Sequence, residues 1–216
     1  MRQLLIIIAL ATSISGKLKF FKFEKSDNKL SWLTYLHGQK NDCTGSLVGA
    51  DKIFAGGHCL VEYDPKTPYY ASFDVADSEK DNSEYLIVKK VVVSGYLKSN
   101  LINGFDVSML TTKDKVVISK TISIGKMDND KEYLESSDLV LAGFATDSDG
   151  MILKERPVRS SVCPYGDSEM EALNYPICES QSNETIEAGS EYFDGPLMRI
   201  KNHKIIGVYS GYIKDT

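Results

Sequence analysis

Short apolar runs separated by turn residues recur along the whole chain. Runs of this length, bounded by Gly, Asn and Asp, are typical of strands, and no segment sustains a long 3.6-residue apolar period. Met170–Leu173 fits a single helical turn that Pro176 would end. The pattern therefore predicts an all-β barrel or sandwich. The predicted strands are Trp32–Leu36, Ser46–Val48, Lys52–Ala55, Tyr70–Phe73, Tyr85–Val93, Val107–Thr111, Leu139–Phe144 and Ile205–Tyr209. The polar segment Asp114–Lys131 is predicted to join two halves.

The first fifteen residues have the pattern of a secretory signal peptide. Arg2 precedes the apolar run Leu4–Ala11, and small residues follow up to Gly16. This run is too short to span a bilayer, and no later stretch approaches twenty apolar residues. We therefore expect residues 1–15 to be removed and the mature protein, 16–216, to be secreted into the extracellular space without a membrane partner.

Composition and charge narrow the function classes. The 216 residues are 42% hydrophobic and 25% charged, which excludes a disordered chain. The formal net charge of −5 argues against nucleic acid as a partner, because phosphate binding needs a basic face. The N-terminal lysines are interpreted as a solvated face.

The four cysteines and one sequon agree with secretion. An even number of cysteines in an oxidising compartment suggests two disulfides, with three possible connectivities. The sequence-local pairing, Cys43–Cys59 and Cys163–Cys178, would close two loops of about 15 residues, each contributing roughly 3 kcal/mol. A zinc site is the weaker alternative, since there is no Cys-x-x-Cys pair, and we expect neither metal nor cofactor. Asn183 begins an N-glycosylation sequon.

The most informative segment is Cys43–Cys59, CTGSLVGADKIFAGGHC. It resembles the pattern C-G-G-S-L-I, ending in T-A-A-H-C, of the chymotrypsin-like (trypsin-family) serine proteases. The resemblance implies two six-stranded Greek-key antiparallel β-barrels, roughly 16–115 and 132–216. It also places the catalytic histidine at His58, beside a disulfide across the predicted hairpin.

Two further segments follow in the order that the family has. The run Asn103–Leu110, NGFDVSML, resembles N-x-D-I-A-L-L and places Asp106 at the aspartate that orients the catalytic imidazole. Leu139–Phe144 resembles the strand that ends in G-W-G, with Phe144 in place of tryptophan. Cys163 and Cys178 fit the second disulfide of the family.

The nucleophile motif departs from the family pattern. The family has G-D-S-G-G-P-L, and Gly195-Pro196-Leu197 anchors the matching stretch here. Phe193 then stands at the position of the nucleophilic serine, and a phenyl ring has no lone pair with which to attack a carbonyl. Glu191 replaces the oxyanion-hole glycine, and Tyr192 replaces the aspartate that pairs with the new N-terminus of activated proteases. Shifting Ser190 into the nucleophile position would destroy the Gly-Pro-Leu match.

The predicted substrate cleft is also altered. Ser210-Gly211-Tyr212 corresponds to the family's S-W-G strand, and Tyr212 would obstruct the entrance of the specificity pocket. Glu187 lies where trypsin-like members keep a carboxylate for Lys and Arg, but here we interpret it as a surface or pocket-floor carboxylate. No R/K-I-V-G-G activation site precedes Trp32.

The resemblance with these departures predicts a secreted, catalytically inactive serine-protease homologue. It would act by binding a protein partner, as a decoy for inhibitors, a competitor at a substrate, or a regulator of a proteolytic cascade. The alternatives are an active endopeptidase with a divergent catalytic site, and a scaffold without a cleft-based function. The family continues past the position of Thr216 with a last strand and a helix, so we expect an incomplete second barrel.

Overall fold

The computed structural model describes residues 21–22, 30–39, 42–60, 64, 66–73, 83–92, 106–128, 139–147, 150–158, 160–161, 178–179 and 195–209. Within these ranges the chain forms strands, one short 3₁₀ helix at His58–Leu60 and no α-helix. The strands are β1 (Phe21–Lys22), β2 (Leu33–His37), β3 (Cys43–Gly49), β4 (Lys52–Ala55), β5 (Tyr70–Phe73), β6 (Ser83–Val92), β7 (Ser108–Thr112), β8 (Leu139–Asp147), β9 (Gly150–Val158), β10 (Ser160–Ser161), β11 (Cys178–Glu179), β12 (Pro196–Arg199) and β13 (Ile205–Val208).

Six strands of the first half close into a barrel, in the order β2-β3-β4-β7-β6-β5. Each neighbouring pair is antiparallel. Alternate side chains point inward, as a half-buried strand requires. The barrel interior is apolar and fully buried, and includes Leu36, Leu47, Ile53, Ala71 and Leu110. The all-β prediction and the first barrel are confirmed.

The β3–β4 hairpin turns at Gly49-Ala50-Asp51. The backbone N–H of Thr112, the last residue of β7, donates to the carbonyl oxygen of Asp51. The backbone N–H of Val116, in the segment that follows β7, donates to the carbonyl oxygen of Ala50. Lys52 Nζ donates to Asp51 Oδ2 at 2.8 Å, and this bond holds the pKa of the Asp51 carboxyl below its ordinary value. The turn is therefore hydrogen-bonded to β7, the strand that begins two residues after Asp106.

The second half forms a five-stranded antiparallel sheet and a separate two-stranded pair. The sheet has the order β1-β9-β8-β12-β13, and β10 pairs with β11. Among the described residues this sheet is open. Its inner side chains Val140, Ala142, Met198 and Ile205 belong to the same buried cluster as the barrel interior, so the two halves share a core. The chain therefore has the trypsin-like arrangement of a closed barrel against a second, partial sheet.

The segment that follows β7 crosses from the barrel to the second sheet. Gly125 N donates to Leu47 O in the barrel, and Asp128 N donates to Ile205 O in β13. The carboxylate of Asp128, only 3% exposed, forms ion pairs with Arg199 and Lys204. The described part of the predicted connection is thus hydrogen-bonded to both the barrel and the second sheet.

Several element predictions differ from the structure in their bounds or were missing. The strand predicted at Ser46–Val48 begins at Cys43, because its whole length pairs with β2 or β4. Strands β9 and β12 were not predicted, since Pro157 and several charged residues interrupt the apolar pattern of β9. The helical turn predicted at Met170–Leu173 lies outside the described residues. Within the described part, no helix is long and apolar enough to cross a membrane.

Candidate functional site

Two adjacent strand ends bring His58 and Asp106 together. Strand β4 ends at Ala55 and β7 begins at Ser108, and these two residues are paired. The Ser108 hydroxyl lies within hydrogen-bond distance of two carbonyl oxygens, 3.2 Å from that of Ala55 and 3.0 Å from that of Gly56. This buried serine fixes the point at which the chain leaves β4 for His58. Asp106 lies two residues before β7, so both side chains extend from the same end of the barrel.

The imidazole and the carboxylate form a close, two-point contact. His58 Nδ1 lies 2.6 Å from Asp106 Oδ2, and the backbone N–H of His58 donates to Asp106 Oδ1 at 2.6 Å. The Asp106 side chain is 1% exposed and that of His58 is 21% exposed. A buried carboxylate needs such donors to offset its lost hydration. Because Nδ1 carries the proton towards Asp106, the neutral ring has its lone pair on Nε2, which is the form of a general base.

The imidazole ring packs directly on the backbone of Gly56. A Cβ atom at position 56 would lie 2.6 Å from His58 Cε1 and 2.8 Å from Nδ1. The family pattern T-A-A-H-C has alanine where this chain has Gly56. With the ring in this position, an alanine Cβ at position 56 could be accommodated only if the ring or the backbone shifted.

A disulfide closes the other side of the histidine. Cys43 and Cys59 are bonded, with their Cα atoms 6.0 Å apart, and Cys59 Sγ lies 3.8 Å from His58 Nε2. The two sulfurs and a His58 ring nitrogen are close enough to suggest a metal site. Both sulfurs are consumed by the disulfide, however, and the thiolate is the form that ligates a metal. The disulfide therefore holds the segment that contains His58 to β3, and the cluster does not suit a metal while the disulfide is intact.

Gly195-Pro196-Leu197, the anchor of the predicted nucleophile motif, lies within the described residues. Gly195 is buried, and Pro196 and Leu197 begin β12. A Cβ at position 195 would collide with the carbonyl oxygen of Ala142 in β8. Tyr209 N also donates to Gly195 O at 3.0 Å. Only glycine fits at this point, so the Gly-Pro-Leu anchor of the motif has a physical reason.

The remaining predicted site residues are not brought to this site by any described contact. Cys178 is described only as backbone, in β11 paired with β10. The following predicted residues lie outside the described residues: Cys163, Asn183, Glu187, Glu191, Tyr192, Phe193, Ser210 and Tyr212.

Sequence reasoning missed two residues that shape the site, Gly56 and Ser108. The adjacent glycines before His58 were a visible signal that the chain passes close to another group. Ser108 carried no comparable signal, because its role depends on the pairing of β7 with β4.

The closed barrel, the shared core and the His58–Asp106 pair define a protein of the chymotrypsin-like class. The sequence matches the family model for trypsin over residues 21–215, and the chain belongs to the trypsin family. Among solved structures, it resembles the scabies mite inactivated protease paralogue S-D1, with a TM-score of 0.63 and 15% sequence identity. The similarity covers 89% of this chain and 86% of that one. No curated protein sequence matches the chain.

Proposed function

We propose that this trypsin-family protein is secreted, lacks peptidase activity and acts by binding another protein. Its partner would be a protease, a protease inhibitor or a protein substrate, for which it serves as decoy, competitor or regulator. The signal-peptide pattern of residues 1–15 and the Cys43–Cys59 disulfide support an extracellular site of action.

The observation that carries this proposal is the position of Phe193. Gly195 meets the Ala142 carbonyl so closely that a side chain is excluded, which supports aligning Gly195 with the glycine that precedes Pro-Leu in G-D-S-G-G-P-L. A shift of three residues that brought Ser190 to the nucleophile position would lose this match of the Gly-Pro-Leu sequence. In the proposed alignment Phe193 stands at the nucleophile position, and a phenyl ring cannot form an acyl-enzyme.

Other substitutions support the same interpretation. The His58–Asp106 pair retains a general base, but the base has no hydroxyl to activate at position 193. Glu191 would oppose the negative charge of an oxyanion, and Tyr192 removes the ion-pair partner of an activated N-terminus. The structural relative is itself named an inactivated protease paralogue.

One observation favours the alternative of an active endopeptidase with a divergent site. The 2.6 Å contact between His58 Nδ1 and Asp106 Oδ2 is the arrangement that a working general base requires. A nucleophile other than residue 193 would then have to use this base.

Cleavage of a peptide mixture tests the two possibilities. The mature protein is incubated with a proteome-derived peptide library, and new termini are counted by mass spectrometry, with trypsin as positive control and His58→Ala as matched variant. We expect the wild-type protein and His58→Ala to give the same background. Cleavage by the wild-type protein that His58→Ala loses would establish the endopeptidase and refute the proposal.

A further inference from the structure

Two strands of the barrel, β2 and β5, place aromatic side chains on its outer face. Tyr35 and His37 alternate with the buried Leu36 on β2, so both point away from the core. The strand pairing sets Tyr70 of β5 directly opposite His37. The rings of Tyr35, His37 and Tyr70 are each half-buried. We call these residues, together with Phe144, the aromatic face.

The rings of the aromatic face form a continuous stack. The ring centroids of Tyr35 and His37 are 5.1 Å apart with 15° between their planes, and those of His37 and Tyr70 are 5.8 Å apart at 29°. Phe144 of β8 meets Tyr35 edge-on at 6.1 Å, and Phe144 N donates to Thr44 Oγ1 of the barrel. The aromatic face therefore runs from the second sheet across the barrel, held by offset and edge-to-face contacts.

Two carboxylates border the aromatic face. Tyr35 donates its hydroxyl to Asp42 Oδ2 at 2.5 Å, and Asp42 is exposed. His37 Nε2 lies 2.7 Å from Ser72 Oγ and 3.3 Å from Glu84 Oε1, and Ser72 donates its hydroxyl to Glu84 Oε1 at 3.3 Å. The Glu84 side chain is nevertheless 51% exposed. These bonds hold the rings in one arrangement while leaving carboxylate surface open to solvent. Little conformational entropy remains to be lost on binding.

The aromatic face combines partly exposed tyrosine rings with two carboxylates, those of Asp42 and Glu84, that are accessible to solvent. This combination favours the binding of a cationic side chain. Aromatic rings attract Arg and Lys through their π-systems, carboxylates add charge, and Tyr is enriched among residues that dominate binding. The negative net charge of the chain favours the approach of a basic partner. We propose that the aromatic face binds an arginine- or lysine-bearing segment of a partner protein. It uses none of the residues of the His58 site, so it does not depend on the absence of catalysis.

Titration with short peptides tests this inference. The probes are an acetylated and amidated pentapeptide of alternating glycine and arginine, and its counterpart with glutamate in place of arginine. Binding to the ¹⁵N-labelled protein is followed by NMR, with the His37 imidazole as reporter. We expect saturable binding of the arginine peptide, shifts centred on the aromatic face, and no binding of the glutamate peptide.

Matched variants separate a specific surface from general attraction. Glu84→Gln and Asp51→Asn each remove one negative charge from the same barrel, and Asp51 is at the β3–β4 turn. Glu84→Gln and Tyr70→Leu should each weaken binding about tenfold, whereas Asp51→Asn should change it less than about twofold. Circular dichroism verifies that each variant is folded. Equal weakening by Glu84→Gln and Asp51→Asn, absence of saturable binding, or self-association through this face would overturn the inference.

Discussion

At the scale of single residues, the predicted general base is present, whereas the predicted nucleophile is replaced. His58 and Asp106 form the hydrogen bond that orients an imidazole as a base. In the proposed alignment, Phe193 leaves this imidazole without a hydroxyl to deprotonate. The ring of His58 has also settled against Gly56, where the family pattern has alanine. The pair therefore has the hydrogen-bond geometry of a general base, and the His58 ring also packs closely against the backbone of Gly56.

Restoring the serine alone should not restore activity. In Phe193→Ser a hydroxyl returns, but Glu191 still stands at the oxyanion-hole position and Tyr192 still replaces the anchoring aspartate. We expect kcat/KM on peptide substrates to stay at least about 1,000-fold below that of trypsin. Hydrolysis by Phe193→Ser near the level of trypsin would show that the rest of the cleft is competent.

The contact between Gly56 and the imidazole predicts a destabilising alanine substitution. In Gly56→Ala the new Cβ would lie 2.6 Å from His58 Cε1, so the ring must move and its bond to Asp106 is strained or lost. We expect a loss of about 1–3 kcal/mol in the free energy of unfolding, measured by urea denaturation, with a shifted His58 imidazole signal in NMR.

Gly207 provides the matched control for that substitution. It lies in β13, and a Cβ there meets no atom within 4 Å. Gly207→Ala should leave the stability unchanged or raise it by up to about 1 kcal/mol, because alanine loses less backbone entropy than glycine. Equal effects of the two alanine variants would contradict the packing described for His58.

At the scale of elements, the β3–β4 hairpin organises the site. Its turn is bonded to the segment around β7, its second strand ends just before His58, and the disulfide joins its first strand to the 3₁₀ helix that contains His58. The backbone at His58 is thus held in place by the β3–β4 hairpin, through its second strand and through the disulfide.

Removal of this disulfide should cost more than removal of two exposed side chains. Cys43 and Cys59 are separated by 16 residues, so the double variant Cys43→Ser, Cys59→Ser should lose about 3 kcal/mol of unfolding free energy. Both cysteines are buried, and the serine hydroxyls add a further cost. Urea denaturation measures the change. A loss below about 1 kcal/mol would mean that the disulfide does not constrain the unfolded chain.

Local patterns could predict the barrel strands but not every element of the second half. Strands such as Lys52–Ala55 and Tyr70–Phe73 alternate cleanly or are continuously apolar, and their bounds agree with the structure. Strand β9, which pairs with β8, was not predicted because Pro157 and several charged residues interrupt its apolar pattern. The aromatic face could not be predicted from the sequence for a different reason. It depends on the register between β2 and β5, which adjacent residues do not encode.

The candidate site was predictable only through the family resemblance. His58 and Asp106 are 48 positions apart, and nothing in the sequence between them indicates that their side chains meet, because the contact depends on the pairing of β4 with β7. The resemblance supplied that pairing in advance. It could not supply the close contact between the His58 ring and the backbone of Gly56.

At the scale of the whole molecule, the barrel and the second sheet form a single packed unit. Val140, Met198 and Ile205 of the second half lie in the same buried cluster as Leu47 and Ile53 of the barrel. This shared core joins the two halves of the trypsin-like fold.

Expression in a eukaryotic secretory host tests the proposed extracellular location. We expect the protein in the medium, with an N-terminus near residue 16 because the signal peptide has been removed. Asn183 should carry a glycan that peptide N-glycosidase removes, and Asn183→Gln should lack the same mass. Retention of the full-length chain inside the cells would contradict secretion.

The central claim is that the protein has no nucleophile at its trypsin-like site. The most direct measurement is intact mass spectrometry after incubation with a fluorophosphonate, which bonds covalently to an activated serine. We predict that the mass of the wild-type protein stays unchanged while trypsin is labelled under the same conditions. A stoichiometric adduct on the wild-type protein that disappears in His58→Ala would contradict the account.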